Sequence, residues 1–534
     1  MPSWESYVAA AIAELDKREV VRRIWDRDHS VWDSDPTEIS DRLGWLTVAS
    51  EMHQQIAELR AFVEEIRNEG YEQVVLIGMG GSSLGALALE MLFGSAIGYP
   101  KLVVLDSTVP DMVASVGAAS RDTKTLYIVA SKSGTTIEPN MLYRHFRALV
   151  EQSVGTENAG RDFVAICDAG TELERLAREQ GFRETFINSA DIGGRYSVQS
   201  LFGLVPSSLI GIDIEAFLSQ VENMGAKCAA TVASEDNPGA WLGAAIAGLY
   251  KQGRDKLTLV TTESLAGFGL WVEQLLAEST GKEGRGIIPI IGEPRPAPDV
   301  LGNDRFCVYV RLDGDNADEI DAYMDEIEAS GIPTIRLSLS DKYEIGAEFF
   351  RWEFATAVVG SLMGIHPFDQ PDVQRAKDNT ARLLEEYQTG GVRPLLNPVG
   401  SLDDLIAQVK PGCYLSLTAY VEPSPQFEQA IAVLRACISN QSHIPTTFAY
   451  GPRYLHSTGQ LHKGGTDSGL FLQLVQTGDS DVTIPGEAFT FGVLAAAQAK
   501  GDLDALSALG RPVARIDLRH DAGVVIYDLA NSLD

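Results

Sequence analysis

The densest set of polar donors in the chain lies at residues 131–136, where the sequence reads SKSGTT and is followed by Glu138. An apolar run precedes this segment and a helix-length segment follows it. Hydroxyl groups, an ammonium and the free backbone N–H groups of a helix start can surround a phosphate. One hydroxyl would suffice to cap the helix, so a set of this size predicts a phosphate site. Its members are Ser131, Lys132, Ser133, Gly134, Thr135 and Thr136.

A glycine cluster at the end of an earlier apolar run could bring the backbone close to a ligand. In VVLIGMGGSSLG (74–85), three closely spaced glycines separate a predicted strand from a predicted helix, and free N–H groups there favour an anion. A dinucleotide site is one alternative, because Asp106 ends the next apolar run, where a ribose-binding acid could lie. Ser83 weakens it, since it occupies the place of that fingerprint's third glycine. A tight turn without a ligand is the other alternative.

Two further segments carry a cation that could bind an anion and a carboxylate that could accept a proton. DIGGRYS (191–197) places the Arg195 guanidinium beside two glycines, where it could bind an oxyanion or a phosphate; a surface arginine in a turn is the alternative.

The predicted helix that ends at Gly281 carries Gln274 and Glu278 four residues apart, and therefore on one face near its C-terminus. The negative end of the helix dipole makes a carboxylate there a better proton acceptor. Without other context, a solvated glutamate at the helix end is favoured.

Two later segments add a lysine and two histidines. PFDQPDVQRAK (367–377) starts a predicted helix with Lys377 one to two turns in. GPRYLHSTGQLHKGG (451–465) holds His456 and His462, two of only eight histidines, in a glycine-rich loop. Lone histidines are usually structural, but this pair lies beside an arginine and a lysine. A functional and a structural role are equally open for it.

The elements that must position these groups are short apolar strands that alternate with helices. Residues 1–70 are predicted to be helical, and the apolar positions of Trp45–Ile66 predict one helix face. Apolar runs that alternate with helix-length segments indicate parallel sheets covered on both faces. The predicted strands are 74–81, 101–106, 125–134 and 162–170 in a first set, 256–262, 306–312 and 334–340 in a second, and 413–420, 446–450, 469–476 and 513–518 in a third.

The length of 534 residues fits about three to four domains. We expect an N-terminal helical segment (1–70), a first α/β domain (71–225), a second α/β domain with a helical bridge (226–394) and a C-terminal α/β extension (395–534). The chain has 43 Lys+Arg against 74 Asp+Glu, a net charge of −31. Such an acidic surface would repel nucleic acid and anionic lipid, so neither is an expected partner.

Other features of the composition narrow the class of protein. No apolar run approaches the roughly 20 residues needed to cross a bilayer, and the first residues alternate polar with apolar positions without a basic leader. The five cysteines are scattered and form no Cys-x-x-Cys pair, which supports neither a disulfide framework nor a structural zinc site. The expectation is a soluble, cytoplasmic protein with no membrane partner.

Five of the motifs occur in one order between about residues 74 and 380, and together they resemble the phosphoglucose isomerase family. The matching segments are GMGGSSLG, SKSGTT, GGRYS, the Gln-x-x-x-Glu-Ser-x-Gly-Lys helix and PFDQPxVxxxK. The glycine and hydroxyl clusters by themselves resemble the sugar-isomerase (SIS) domain, which binds phosphosugars. The tail segment GPRYLHSTGQ-x-x-KGG resembles the isomerase half of the bacterial fused transaldolase/phosphoglucose isomerase proteins. These residues leave no room for the transaldolase barrel, so we expect isomerase activity only.

The resemblance implies a fold and an activity. The fold would be α/β, with two SIS-type doubly wound parallel-sheet domains, N-terminal helices and a C-terminal α/β extension. The activity would be that of an aldose–ketose isomerase of glycolysis and gluconeogenesis, which interconverts glucose 6-phosphate and fructose 6-phosphate without a metal or a cofactor, in a homodimer with shared sites. Preference for glucose or mannose phosphate stays open. The alternatives are a non-catalytic phosphosugar-binding SIS protein and a nucleotide-binding dehydrogenase.

The resemblance also implies roles for individual residues. Ring opening in the family uses a histidine that precedes the lysine in the chain, but no histidine lies in residues 282–365. The tail sequence HSTGQ matches instead, so we expect residues 395–534 to fold back and bring His456 into the cleft, with His366 and His462 as alternatives. The implied roles are sugar binding for Gly81, Ser82 and Gln274, phosphate binding for Ser131, Lys132, Ser133, Thr135 and Thr136, proton transfer for Glu278, enediolate stabilisation for Arg195, and ring opening for Lys377.

Overall fold

Three parallel β-sheets form the framework of the protein. The computed structural model describes residues 4–476, 478, 481–518 and 521–533. The first sheet has the order β2-β1-β3-β4-β5 and consists of β1 (Gln73–Ile77), β2 (Lys101–Leu105), β3 (Thr125–Ala130), β4 (Phe163–Asp168) and β5 (Glu184–Asn188). The second has the order β7-β6-β8-β9 and consists of β6 (Lys256–Thr261), β7 (Ile288–Ile291), β8 (Arg305–Leu312) and β9 (Thr334–Leu339). The third has the order β11-β10-β12-β13 and consists of β10 (Tyr414–Tyr420), β11 (Thr446–Tyr450), β12 (Gly469–Val475) and β13 (Val513–Asp517).

Helices connect the strands and cover the sheets, as parallel pairing requires. The α-helices are α1 (Trp4–Lys17), α2 (Val20–Trp25), α3 (Val48–His53), α4 (Ile56–Asn68), α5 (Leu84–Phe93), α6 (Pro110–Ala119), α7 (Ile137–Val154), α8 (Thr156–Ala159), α9 (Glu172–Glu179), α10 (Leu201–Leu209), α11 (Ile214–Lys227), α12 (Pro238–Lys251), α13 (Ala266–Thr280), α14 (Asp318–Ala329), α15 (Ile345–Met363), α16 (Gln374–Gly390), α17 (Leu402–Ile406), α18 (Pro425–Ser442), α19 (Gly459–Gly464), α20 (Phe491–Ala508) and α21 (Ala522–Asn531). Short 3₁₀ turns near the site are Gly80–Ser82, Gly194–Tyr196, Pro371–Val373 and Arg453–His456. None of the described helices is long and apolar enough to span a membrane.

The central strands of the first sheet are buried on both faces. Every residue of β3 and of β4 is buried, as an apolar run without alternation predicts. Val75 of β1 pairs with Val103 of β2 and with Tyr127 of β3, so the three strands end at the same edge. That edge carries the glycine cluster after β1, Asp106 after β2 and the SKSGTT loop after β3.

The secondary structure differs from the prediction in three places. Trp45–Ile66 was expected to present one helix face, but the chain forms a 3₁₀ turn, α3 and α4 there, with a break before Ile56. The apolar positions are nevertheless buried in one core, because both short helices turn their apolar sides towards it. β5 and β7 were not predicted: β5 is an edge strand of mixed exposure, and β7 is an edge strand of only four residues.

The two largest hydrophobic cores each contain residues from more than one of the expected domains. The largest core joins the N-terminal helices to one face of the first sheet and to the second sheet. On the other face of the first sheet, Ile77 shares a core with Leu383 of α16 and with Phe491 and Leu494 of α20. The C-terminal extension, residues 395–534, is therefore packed against the first sheet, where its loops can reach the carboxyl ends of the strands.

Candidate active site

A cleft of about 610 Å³ lies at the carboxyl edge of the first sheet. Its walls come from the loops after β1 and β3, from α13, from the start of α16 and from the C-terminal extension. The structure brings most of the predicted site residues together there. Those lining the cleft are Gly81, Ser82, Lys132, Ser133, Thr136, Arg195, Gln274, Glu278, Lys377 and His456.

Two glycines allow three segments of backbone to meet at the floor of the cleft. A Cβ on Gly81 would lie 2.0 Å from the carbonyl oxygen of Gly194, so no larger residue fits. Gly80 has φ +54, and a Cβ there would lie 2.8 Å from the carbonyl oxygen of His456. The glycine cluster therefore serves close packing of the GGRYS segment and of the His456 loop, and it leaves Ser82 facing the cleft.

The SKSGTT loop is braced by its own hydroxyls. Ser131 is buried, donates to Thr136 Oγ1 at 3.3 Å and accepts from the Gly134 N–H at 3.1 Å. Ser133 and Thr136 line the cleft, whereas Thr135 lines an adjoining cavity of about 420 Å³ and lies 3.0 Å from Ser133. The loop thus offers Ser133 and Thr136 to a ligand at the start of α7, and Ser131 holds them in place.

Lys132 is held at the edge of the loop by a buried acid. Its ammonium donates to Asp168 at 2.5 Å and to the carbonyl oxygen of Ala190 at 2.8 Å. Burial raises the pKa of Asp168, and the Lys132 ammonium opposes that rise. Sequence reasoning missed this pairing, because Lys132 follows β3 whereas Asp168 is the last residue of β4. The contact with Asp168 fixes the Lys132 ammonium beside the Ser133 and Thr136 hydroxyls, and all three side chains still line the cleft.

Glu278, Gln274 and Arg195 form the polar wall opposite the loop. Gln274 donates to Glu278 Oε2 at 3.2 Å, one turn apart on α13. Arg195 Nε lies 3.4 Å from the same oxygen. Arg195 is buried, and among the described residues its Nη1 has no hydrogen-bond partner; the same holds for Gln274 Oε1. A carboxylate and a guanidinium therefore lie side by side, with one donor and one acceptor free for a ligand.

The HPFDQ segment before α16 holds the Arg195 guanidinium through hydrogen bonds from one of its nitrogens. Arg195 Nη2 donates to the carbonyl oxygens of Phe368 and Asp369, each at 3.0 Å, and to Gln370 Oε1 at 2.5 Å. Lys282, just beyond the end of α13, donates to Asp369 at 2.6 Å. Burial and the nearby Arg195 guanidinium lower the pKa of Lys282 to about 8. Sequence reasoning missed the supporting role of Lys282, although it lies in the Glu-Ser-x-Gly-Lys motif.

His456 reaches the cleft from the C-terminal extension of the same chain. Its Nε2 lies 2.9 Å from Glu138 Oε1, and its carbonyl oxygen accepts from Gln274 at 2.9 Å. Glu138 is fully buried at the start of α7 and also accepts from Gln498 at 2.7 Å. Burial raises the pKa of Glu138, but the His456 imidazole, helped by a backbone N–H and the Lys377 ammonium, leaves that pKa below its ordinary value. The imidazole is thus oriented by a buried carboxylate, a contact absent from the sequence-based prediction.

The two alternative histidines have other surroundings. His462 is buried within the extension, 3.3 Å from Ser416 Oγ, and burial lowers its pKa well below the ordinary value. His366 lies 3.1 Å from the carbonyl oxygen of Thr37 and accepts from the Phe368 N–H. Neither of these two residues lines the cleft, whereas His456 and Lys377 do.

Comparison with known proteins identifies the family to which this sequence is similar. The family model described as Phosphoglucose isomerase matches residues 40–285. The glucose-6-phosphate isomerase of Staphylococcus saprophyticus is 30% identical over 393 residues, which are 65% of this chain and 87% of that protein. The glucose-6-phosphate isomerase of Symbiobacterium thermophilum is 30% identical over 393 residues, 64% of this chain and 86% of that protein.

Solved structures share the fold. A protein of Thermus thermophilus described as hypothetical has a TM-score of 0.60 at 24% identity, over 71% of this chain and 97% of that one. A glucose-6-phosphate isomerase of Chlamydia trachomatis has a TM-score of 0.60 at 19% identity, over 71% of this chain and 86% of that one. The expected α/β fold with SIS-type parallel sheets is confirmed. The two glucose-6-phosphate isomerases described above are 30% identical to this chain over 86–87% of their own length. The chain therefore belongs to the phosphoglucose isomerase family.

Proposed function

We propose that the protein is a glucose-6-phosphate isomerase, which interconverts glucose 6-phosphate and fructose 6-phosphate. The observation that carries this function is the meeting of three groups in one cleft: the Glu278 carboxylate, the Arg195 guanidinium and the His456 imidazole. Isomerisation of an aldose to a ketose moves a proton between C2 and C1 through an enediolate, which requires a base and a nearby cation. All three groups are side chains of this chain.

The proposed reaction begins with ring opening. The SKSGTT loop holds the phosphate through Ser133 and Thr136, and the sugar extends towards α13. His456, with Lys377 in the same cleft, moves a proton between the C1 hydroxyl and the ring oxygen, so that the ring C–O bond breaks and an aldehyde forms. Imidazole suits this shuttle because it can both donate and accept a proton, and Glu138 fixes its orientation.

Proton transfer between carbons follows. Glu278 removes the proton from C2, and the electron pair passes through the new C1–C2 double bond to O1, which gives an enediolate. Arg195 stabilises the charge on oxygen through the buried donor that has no partner within the described residues. Glu278 then returns the proton to C1 while the O2 hydroxyl proton passes to O1, so that C2 becomes a carbonyl carbon and the ketose results.

A coupled assay tests the proposed function directly. Purified protein should convert glucose 6-phosphate to fructose 6-phosphate and back, and activity should persist in a metal chelator because every proposed role belongs to a side chain. Unphosphorylated glucose serves as the matched control and should be a very poor substrate. Binding of glucose 6-phosphate without turnover would instead support a non-catalytic phosphosugar-binding protein, and turnover lost in chelator and restored by metal would contradict the side-chain mechanism.

The phosphate loop yields a prediction about KM. We expect Ser133→Ala and Thr136→Ala each to raise KM, with little change in kcat, because each removes a hydrogen bond to a charged group worth about 1–2 kcal/mol. Steady-state kinetics with glucose 6-phosphate measures both constants. Val373→Ala, which changes an apolar residue of the same cleft, is the comparison variant. An unchanged KM in both hydroxyl variants would contradict the assignment of phosphate binding to residues 131–136.

The finer assignments are also proposals. The enzyme is of the kind found as the isomerase half of the fused transaldolase/phosphoglucose isomerase proteins, since its tail carries the GPRYLHSTGQ segment of that kind. It works as a homodimer in the cytoplasm, and its domains are 1–70, 71–225, 226–394 and 395–534. In such a dimer, each cleft is completed by the tail of its own chain, as the contacts of His456 with Glu138 and Gln274 suggest.

A further inference from the structure

A buried ion pair joins the first sheet to the loop that carries His456. Asp106 directly follows β2 and is 1% exposed. Arg453 of the C-terminal extension donates to it twice, from Nε to Oδ2 at 2.5 Å and from Nη2 to Oδ1 at 2.9 Å. This two-pronged geometry matches the planar guanidinium to the planar carboxylate, so it fixes direction as well as distance.

The pair lies at the base of the turn that presents the imidazole. Arg453 is the first residue and His456 the last of one 3₁₀ turn. Within the same turn, the Tyr454 hydroxyl donates to Asp502 at 2.7 Å, and this bond ties the turn to α20. The Arg453 guanidinium is thus the anchor of the turn on the first sheet, three residues from the imidazole.

The acid has no other role in the proposed mechanism. Sequence alone left Asp106 open as a ribose-binding acid, but both of its carboxylate oxygens accept from Arg453. Burial raises the pKa of Glu273, which directly precedes Gln274 on α13, and the positive charges of Arg435 and Arg453 oppose that rise. The Arg453 guanidinium, which pairs with Asp106 at the edge of the first sheet, therefore also acts electrostatically on the helix that carries Glu278.

We propose that Asp106 and Arg453 are positioning residues for ring opening, which hold the turn so that the His456 imidazole meets the sugar in the cleft. This inference rests on the proposed function, because it assigns ring opening to His456. Neither residue lines the cleft, so both act through the imidazole. A displacement of about 1 Å in a reacting group can cost on the order of 100-fold in rate, so a loosened turn should have a measurable effect.

Exchange between the α- and β-anomers of glucose 6-phosphate isolates the step in question. The anomers interconvert by ring opening and closure, and two-dimensional exchange NMR measures the rate at equilibrium after subtraction of the rate without protein. We expect Asp106→Asn and Arg453→Lys to slow the catalysed exchange by about 10- to 100-fold, with the dissociation constant of glucose 6-phosphate unchanged. Arg453→Lys keeps both charges and loses only the two-pronged geometry.

Combination with His456→Ala separates positioning from general damage. If the pair acts through the imidazole, Asp106→Asn should cause no further loss in the His456→Ala background, whereas general damage would lower the rate in both. Glu293→Gln is the matched control: it breaks the buried pair with Arg305 and contacts the extension at Thr446, away from the turn. That control should lower stability while its anomer exchange matches the wild type.

Each outcome bears on the assignment. A folded Asp106→Asn or Arg453→Lys protein with wild-type anomer exchange would overturn it, as would an equal loss in the His456→Ala background. Thermal unfolding identifies a variant that fails to fold, and the double variant Asp106→Asn/Arg453→Gln, which leaves no charge unpaired, then takes its place with the same expected loss. If the wild-type protein does not isomerise glucose 6-phosphate at all, the proposed function fails instead.

Discussion

Glu278→Gln should abolish exchange of the C2 proton of glucose 6-phosphate with solvent while substrate binding stays nearly intact. The amide keeps the size and the hydrogen-bonding reach of the side chain, and Gln274 can still contact it, but it cannot accept a proton from carbon. Loss of a general base typically costs 10²–10⁴-fold in rate, or about 3–5 kcal/mol of barrier. NMR detection of deuterium at C2 in D₂O measures the exchange, and calorimetry measures the binding.

The same helix end offers a control for this variant. Glu283 lies five residues further on, is exposed and pairs with Arg285 at the surface. Glu283→Gln should therefore exchange deuterium at the wild-type rate. If Glu278→Gln also does so, another group is the base, and the contact between Arg195 and Glu278 serves only to hold the two segments together.

The sequence predicted the parts of the fold and of the site that depend on local pattern. Buried strands such as β3 are uninterrupted apolar runs, and Gln274 and Glu278 lie at a spacing that puts them on one helix face in any context. β5 was missed because an edge strand mixes exposed and buried positions, and β7 because four residues are too few for a pattern. The break between α3 and α4 was not predicted because the apolar residues keep their three- and four-residue spacing across it.

The contacts that complete the site depend on distant segments, which no local pattern reports. Glu138 meets His456 across 318 positions of the chain, and Asp106 meets Arg453 across 347. These acids lie at the carboxyl edge of one parallel sheet, where the ends of several strands converge. Sequence could place Glu138 after the phosphate loop, but only packing of the C-terminal extension on the first sheet shows what it binds.

His456→Ala should slow turnover of the cyclic substrate strongly while proton exchange on substrate already in the open-chain form is spared. A general acid–base group contributes about 10²–10⁴-fold, and the effect should fall on ring opening because Glu138 orients the imidazole in the cleft that Lys377 also lines. Anomer exchange and C2 deuterium exchange, measured side by side, separate the two steps. His462→Ala should do much less, since that ring is buried within the extension. Equal losses in the two variants would contradict the assignment of His456.

A mixing experiment tests whether His456 enters the cleft of its own chain or the cleft of a partner chain. A chain with Glu278→Gln keeps its histidine, and a chain with His456→Ala keeps its base. When both are expressed together, a dimer whose tails cross between subunits would contain clefts with both groups intact and would regain activity, as exchange of an identical element between protomers allows. The contacts of His456 with Glu138, Gln274 and the Gly80 backbone all lie within one chain. We therefore expect the mixture to stay as inactive as its components, and recovered activity would mean that the tail serves the partner's cleft.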